Sequence, residues 1–200
     1  MKYAILGAGG FAKEVREILL ELGISPELVQ FYVEERFLSD TSNAKSFLEL
    51  PHTGNHVAYL GVGVGKLREN WISQSRDHCE FAPLVHPTAI LGNNVELGEG
   101  VIVTAYSHLT CDIVVGKGVQ FNLQTTVGHD CIIGDFVTTA PKVAISGNVC
   151  VGRHVTFGTS STVLPGISIC DDVVVGAGAV VTKDITEPGT YVGVPAKRIS

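Results

Sequence analysis

The sequence predicts an α/β Rossmann-like half-domain followed by a parallel β-helix, divided near residue 80. Three observations carry that prediction. The chain opens on KYAILGAGGFAKEVREILLELG, a strand, a glycine turn and an amphipathic helix in succession. From Val85 to Thr186 it repeats every six residues without an insertion. That repeat is missing from the first eighty residues. We therefore expect residues 1–80 to form a nucleotide-binding unit and residues 81–200 a solenoid.

In the opening unit, Val15, Ile18, Leu19 and Leu22 share one helical face. LVQFYVEE reads as a second strand, HVAYLGVGVG as a third, and KLRENWISQSRDH as a second helix. Gly7, Gly9 and Ala12 fit a G-x-G-x-x-A fingerprint, and Glu34 or Glu35 follows where a ribose-binding acid would stand. An NAD-dependent oxidoreductase is thus one reading. Three strands are only half of the six that a dinucleotide fold uses, which favours a single nucleotide.

The solenoid reads as seventeen hexads, VHPTAI through VTKDIT. The first position is Val, Leu or Ile in fourteen of them; Phe121, Thr139 and Phe157 are the exceptions. The second is Gly in eight, and the fifth is small or β-branched throughout. No helical period fits six. Position five and the next position one are two residues apart, so both point inward from one short strand. Three strands and three turns then close a triangular coil of eighteen residues. Gly at position two is expected to supply a turn with φ > 0. Positions three and four should be polar; Tyr106, Leu123 and Phe136 break that pattern and are expected to expose apolar surface, which a homotrimer would bury.

Composition excludes some classes. No apolar run approaches the roughly 18 residues of a membrane span. Met1-Lys2-Tyr3 enters a strand without a signal-peptide pattern, and five cysteines show no CxxC spacing, so a soluble, cytoplasmic chain is expected. A net charge of -6 argues against non-specific nucleic-acid binding.

Within VGHDCI, His129 occupies turn position three, with Asp130 beside it. One coil away stand Cys111 on one side and Gly147 on the other. A glycine over an imidazole leaves an open ledge and an approachable N–H.

In order along the chain, ILGAGGFAKEV, FYVEERF, LGVGVGKLR, PLVHPTA, VGHDCIIGDF, SGNVCVG, VLPG and GVPAKRI resemble the NeuD/PglD-like sugar O- and N-acetyltransferases. These are hexapeptide-repeat acyltransferases. The resemblance implies a left-handed β-helix, acetyl-CoA as co-substrate and no metal. It makes His129 the general base, with Asp130 orienting it. Acetyl-CoA contacts fall on Thr138, Gly147, Thr159 and Ala177, with Thr138 standing where relatives often carry a second histidine. Gly9, Gly10, Phe11, Glu34, Glu35 and Gly63 fall on the nucleotide-sugar contacts, Phe11 replacing a histidine of some relatives. Lys197 and Arg198 lie where CoA phosphates often rest.

The implied activity is acetyl transfer to a UDP- or dTDP-linked 4-amino-sugar, for surface polysaccharide or glycan biosynthesis, by a homotrimer with sites between subunits. Sialic acid-type O-acetylation is the nearest rival. A carbonic-anhydrase-like metalloenzyme would need three converging histidines, and His108, His129 and His154 occupy different hexad positions.

Overall fold

The computed structural model describes residues 2–40, 43–50, 56–75 and 78–200. The N-terminal unit is a parallel sheet of β1 (Lys2–Leu6), β2 (Val29–Val33), β3 (Ala44–Ser46) and β4 (His56–Leu60), in the order β3-β2-β1-β4. Helix α1 (Gly10–Glu21) joins β1 to β2, and α2 (Gly65–Ser75) follows β4. The sequence reading expects three strands; β3 is the fourth. Three residues are too few to carry a period-two signal. A capping box follows it, in which Ser46 Oγ accepts from the Leu48 N–H and Glu49 Oε1 accepts from the Ser46 N–H. The second helix was expected to continue to His78; Arg76 and Asp77 lie outside the described residues.

Helix α1 buries Ala12, Val15, Ile18 and Leu19. Leu22, expected on that face, is 47% exposed, because it caps the helix just before Gly23 turns the chain at φ +82°.

From Leu84 the chain winds as a parallel β-solenoid of about six turns. The first face stacks Leu84–Val85, Ile102–Val103, Gln120–Phe121, Thr138–Thr139, Thr156–Phe157 and Val173–Val175. The second face runs from Ile90–Leu91 to Val180–Val181, and the third from Val95–Leu97 to Ser168–Ile169. Partners among these strands are eighteen residues apart, as Thr126 with Ala144, Ile132 with Cys150 and Thr138 with Thr156; past the last coil the spacing shortens, Val173 pairing with Gly189. Position-five columns such as Val101, Val119, Val137, Val155 and Val173 are fully buried. A fully buried aliphatic chain contributes about 1.5–3 kcal/mol, so the column repays its ordering. Thr139, a polar position-one residue, is accommodated by a 2.8 Å hydrogen bond between its hydroxyl and that of Thr125.

The glycine rule differs from the expectation. Positive φ belongs to position four, from Asn94 (57°) through Asp112, Asp130 and Asn148 to Gly178 (67°). Position-two glycines have another cause, close approach between coils. A Cβ on Gly128 would collide with the Gly147 nitrogen, and one on Gly158 with the Ala177 nitrogen.

The N-terminal unit lies across the first face and its two flanking corners. Glu21 pairs with His86 at 2.9 Å on the first corner, between the first and second faces. On the third corner, between the third and first faces, Glu69 of α2 meets Arg153 at 2.6 Å and His154 at 2.9 Å, and Lys66 meets Asp172 at 2.8 Å. Phe136, expected to be exposed, is 5% exposed and joins the apolar cluster of Leu60, Trp71, Ile72 and Phe81. The hexad places it outside the solenoid, and the second domain covers it. Tyr106 and Leu123 stay open, at 67% and 39%.

Candidate functional site

The second corner, between the second and third faces, carries His129. It follows the strand Thr126–Val127, and the turn ends where Cys131 tucks inward, its Sγ bonded to the Ser146 carbonyl. Asp130 takes the left-handed position of the turn at φ 58°. That conformation swings its carboxylate back beside the imidazole, with Oδ2 2.6 Å from Nδ1. A carboxylate oxygen there accepts the Nδ1 hydrogen, and in the neutral imidazole that tautomer leaves the lone pair on Nε2. Both side chains are more than half exposed, at 58% and 56%. The backbone around them is held by its neighbours: the Asp130 N–H donates to the Cys111 carbonyl and the Asn148 N–H to the His129 carbonyl.

Gly147 stacks on His129 one coil away. A Cβ there would meet Nε2 at 2.7 Å and Cε1 at 2.8 Å. The Nε2 end of the ring therefore fills the space that a side chain at position 147 would take. Cys111 occupies the next coil in the other direction. Desolvation, then the hydrogen bond and charge of Asp112 and the charge of Asp130, raise its thiol pKa, so it stays a thiol rather than a nucleophilic thiolate.

Thr159 and Ala177 lie on the first corner, stacked on each other and exposed; the Gly178 N–H donates to the Thr159 carbonyl at 2.8 Å. One chain thus places the His129–Gly147 column and the Thr159–Ala177 column at opposite edges of the second face. Thr138 is elsewhere, on the first face. Its hydroxyl donates to the Gly63 carbonyl at 2.9 Å and accepts from Arg68 at 2.8 Å, so its single proton is already committed inside the domain junction.

In the N-terminal unit, a cavity of about 350 Å³ is lined by Gly7, Ala8, Gly9, Val33, Glu34, Phe37, Val62, Leu67 and Trp71. Glycines form one end, beside the start of α1 at Gly10, where backbone N–H groups suit an anion. The remaining walls are aromatic and aliphatic apart from Glu34, which pairs with Arg36 at 2.7 Å. Glu35 is exposed at the start of a 3-10 turn, Gly63 is exposed at the end of β4, and Phe11 is half-buried against the α1 core. Phe37, Leu67 and Trp71 were not singled out from the sequence; Trp71, the sole tryptophan, was the available signal. At the far end, Arg198 is held by the Pro188 carbonyl and Glu187, while Lys197 is exposed.

Among the described residues no group of three His, Cys, Asp or Glu could hold a metal ion, and no helix is long and apolar enough to cross a membrane. His154 is engaged with Glu69 and Phe136, away from His129.

Residues 148–183 match the hexapeptide repeat of succinyl-transferases. The whole chain superposes on a histidine-to-asparagine mutant of perosamine N-acetyltransferase from Caulobacter crescentus, in complex with CoA and GDP-perosamine. That pair has 31% identity and a TM-score of 0.91, covering 100% of this chain and 97% of the other. The acetyltransferase domain of PglB from Neisseria gonorrhoeae, in complex with acetyl coenzyme A, is 28% identical with a TM-score of 0.89, covering 99% and 98%. UDP-3-O-acylglucosamine N-acyltransferase of Herminiimonas arsenicoxydans is 33% identical over 163 residues, which are 82% of this chain and 43% of that protein. The chain therefore spans less than half the length of that curated relative. Full-length agreement at this identity, together with the repeat, assigns the chain to the hexapeptide-repeat acetyltransferase family of the NeuD/PglD type.

Proposed function

We propose that this protein transfers the acetyl group of acetyl-CoA to the amino group of a nucleotide-linked amino sugar, within surface glycan biosynthesis in the cytoplasm. The observation that carries this reading is the His129–Asp130 pair, with Nε2 free over Gly147. His129 Nε2 takes a proton as the amine attacks the thioester carbonyl, and Asp130 stabilises the imidazolium through Nδ1–H. The tetrahedral oxyanion is met by a backbone N–H near Gly147. CoA leaves as thiolate and takes up the proton. No covalent acyl-enzyme and no metal enter this scheme.

Residues 1–80 hold the nucleotide, with Gly9 and Gly10 at the diphosphate, Phe11 and Gly63 near the sugar, and Glu34 and Glu35 at ribose and base. Residues 81–200 hold acetyl-CoA along Thr159 and Ala177. The N-terminal unit covers the first face, whereas His129 stands on the corner opposite that face. A nucleotide sugar held by one chain is therefore served by the histidine of another, which favours a homotrimer with sites between subunits. The exposed Tyr106 and Leu123 suit such a contact. The sequence reading favoured UDP or dTDP; the relative bound to GDP-perosamine adds GDP to the candidates.

The test is CoA release from acetyl-CoA against GDP-, UDP- and dTDP-amino sugars and free sialic acid, with the product analysed by mass spectrometry. N-acetylated nucleotide sugar is the expected product. CoA release with free sialic acid alone, or with no acceptor in the panel, overturns the reading.

A further inference from the structure

Arg68 is fully buried. Among the described residues, each hydrogen bond it makes goes to a neutral oxygen. Nε donates to the Gly118 carbonyl at 2.7 Å. Nη1 donates to the carbonyls of Val62 (3.1 Å) and Gly63 (2.8 Å) and to Gln120 Oε1 (3.2 Å). Nη2 donates to the carbonyls of Phe136 (2.9 Å) and Val137 (3.1 Å) and to Thr138 Oγ1 (2.8 Å). Burial lowers its pKa to about 9, and a shell made wholly of acceptors keeps it charged at neutral pH.

A buried charge without a counter-charge is a costly way to join two domains. Adhesion alone is already supplied beside it by the apolar cluster of Phe136, Ile72, Leu60 and Phe81. What the guanidinium adds is geometric. One nitrogen holds the Val62–Gly63 backbone, and the other two hold the backbone of two successive coils, at Gly118 and at Phe136–Val137. Thr138 closes the loop by donating to the same Gly63 carbonyl. Val62 and two α2 residues flanking Arg68, Leu67 and Trp71, are walls of the 350 Å³ cavity.

We infer that Arg68 is a positioning residue: it fixes the Val62 wall of the nucleotide cavity, together with the adjoining Gly63 backbone, and holds that cavity in register with the solenoid that carries the acetyl donor. This rests on the acetyltransferase reading for its consequence in turnover, but not for its consequence in nucleotide binding. Arg68→Met removes the fork while keeping the stem, and Arg68→Lys restores a charge that cannot bridge all three backbone segments at once.

The test combines calorimetric titration of GDP and UDP into the purified protein with KM values for nucleotide sugar and for acetyl-CoA, and a thermal melt of each variant. Arg68→Met is expected to weaken binding of the preferred nucleoside diphosphate by about tenfold or more. The nucleotide-sugar KM rises in parallel while the acetyl-CoA KM stays within about twofold, and Arg68→Lys recovers part of the loss. Should Arg68→Met fail to fold, Thr138→Val removes one support of Gly63 and is expected to shift the same two readouts by a smaller factor. Unchanged nucleotide affinity in the folded variants, an equal rise in both KM values, or no nucleotide binding by the unaltered protein overturns the inference. Binding that weakens as expected in a protein that never transfers acetyl groups overturns the proposed function alone.

Discussion

The second corner of the solenoid leaves His129 58% exposed and paired with Asp130, whereas the third corner places His154 beneath α2 with 12% exposed. His154 stacks on Phe136 at 5.5 Å, its Nε2 meets Glu69, and its Nδ1 is buried without a partner among the described residues. Both residues obey the same hexad, and both stand on turns. The repeat decides that a side chain leaves the core; the docked domain decides whether it then meets solvent or protein. Among the described residues, the N-terminal unit covers the third corner and leaves the second open.

That contrast can be broken from either side. His129→Ala is expected to lower kcat by about 10²–10⁴-fold, the usual range for a general base, with an unchanged melting temperature. A loss of stability in its place would put His129 in the same class as His154. Phe136→Ala should do the reverse, destabilising the domain junction by about 3 kcal/mol, measured by denaturant unfolding, because it empties a buried aromatic site.

Two further substitutions have smaller effects. Gly147→Ala sets a methyl group 2.7 Å from the resting position of Nε2, so the imidazole must rotate away. A displacement of about 1 Å is enough for a loss of about 10²-fold in kcat, read by steady-state kinetics beside an unchanged melt. Smallest is Lys66→Ala at the covered corner. The Lys66 hydrogen bond is the main cause that holds the Asp172 carboxyl below its ordinary pKa. A lowered folded-state value stabilises the protein above the ordinary carboxylate range, and that contribution fades as pH falls through the folded-state value. Because both partners are largely exposed, the substitution should cost at most about 0.5 kcal/mol at neutral pH and nothing in strong acid, as thermal melts across pH would show.

Much of this was legible in the residues. The unbroken hexad from Val85 to Thr186 is a local signal repeated seventeen times, and it located strands, inward columns and the turn position of His129 together. What it could not tell was which turns are covered. Phe136 reads as exposed from its hexad and is buried by residues more than fifty positions earlier. Arg68 looks like any helical arginine, since its acceptors at Gly118, Gln120 and Phe136–Thr138 are distant in sequence. The position-two glycines were found for the wrong reason: the repeat signals that a side chain is forbidden there, not whether φ or the next coil forbids it. β3 was missed because three residues cannot display a period.

In the proposed oligomer, His129 of one chain serves the nucleotide site of another. Subunit mixing puts this to the test, with His129→Ala in one chain and Gly9→Asp in the other. A Cβ at Gly9 meets nothing within 4 Å, so the second change leaves the fold intact while setting a carboxylate against the bound diphosphate. Each variant alone should be inactive. Co-refolded at equal ratio, the two should recover about a quarter of wild-type activity, because that share of interfaces joins an intact histidine to an intact nucleotide site. A mixture as inactive as its parents, while mixed oligomers are shown to form by mass, would contradict the account.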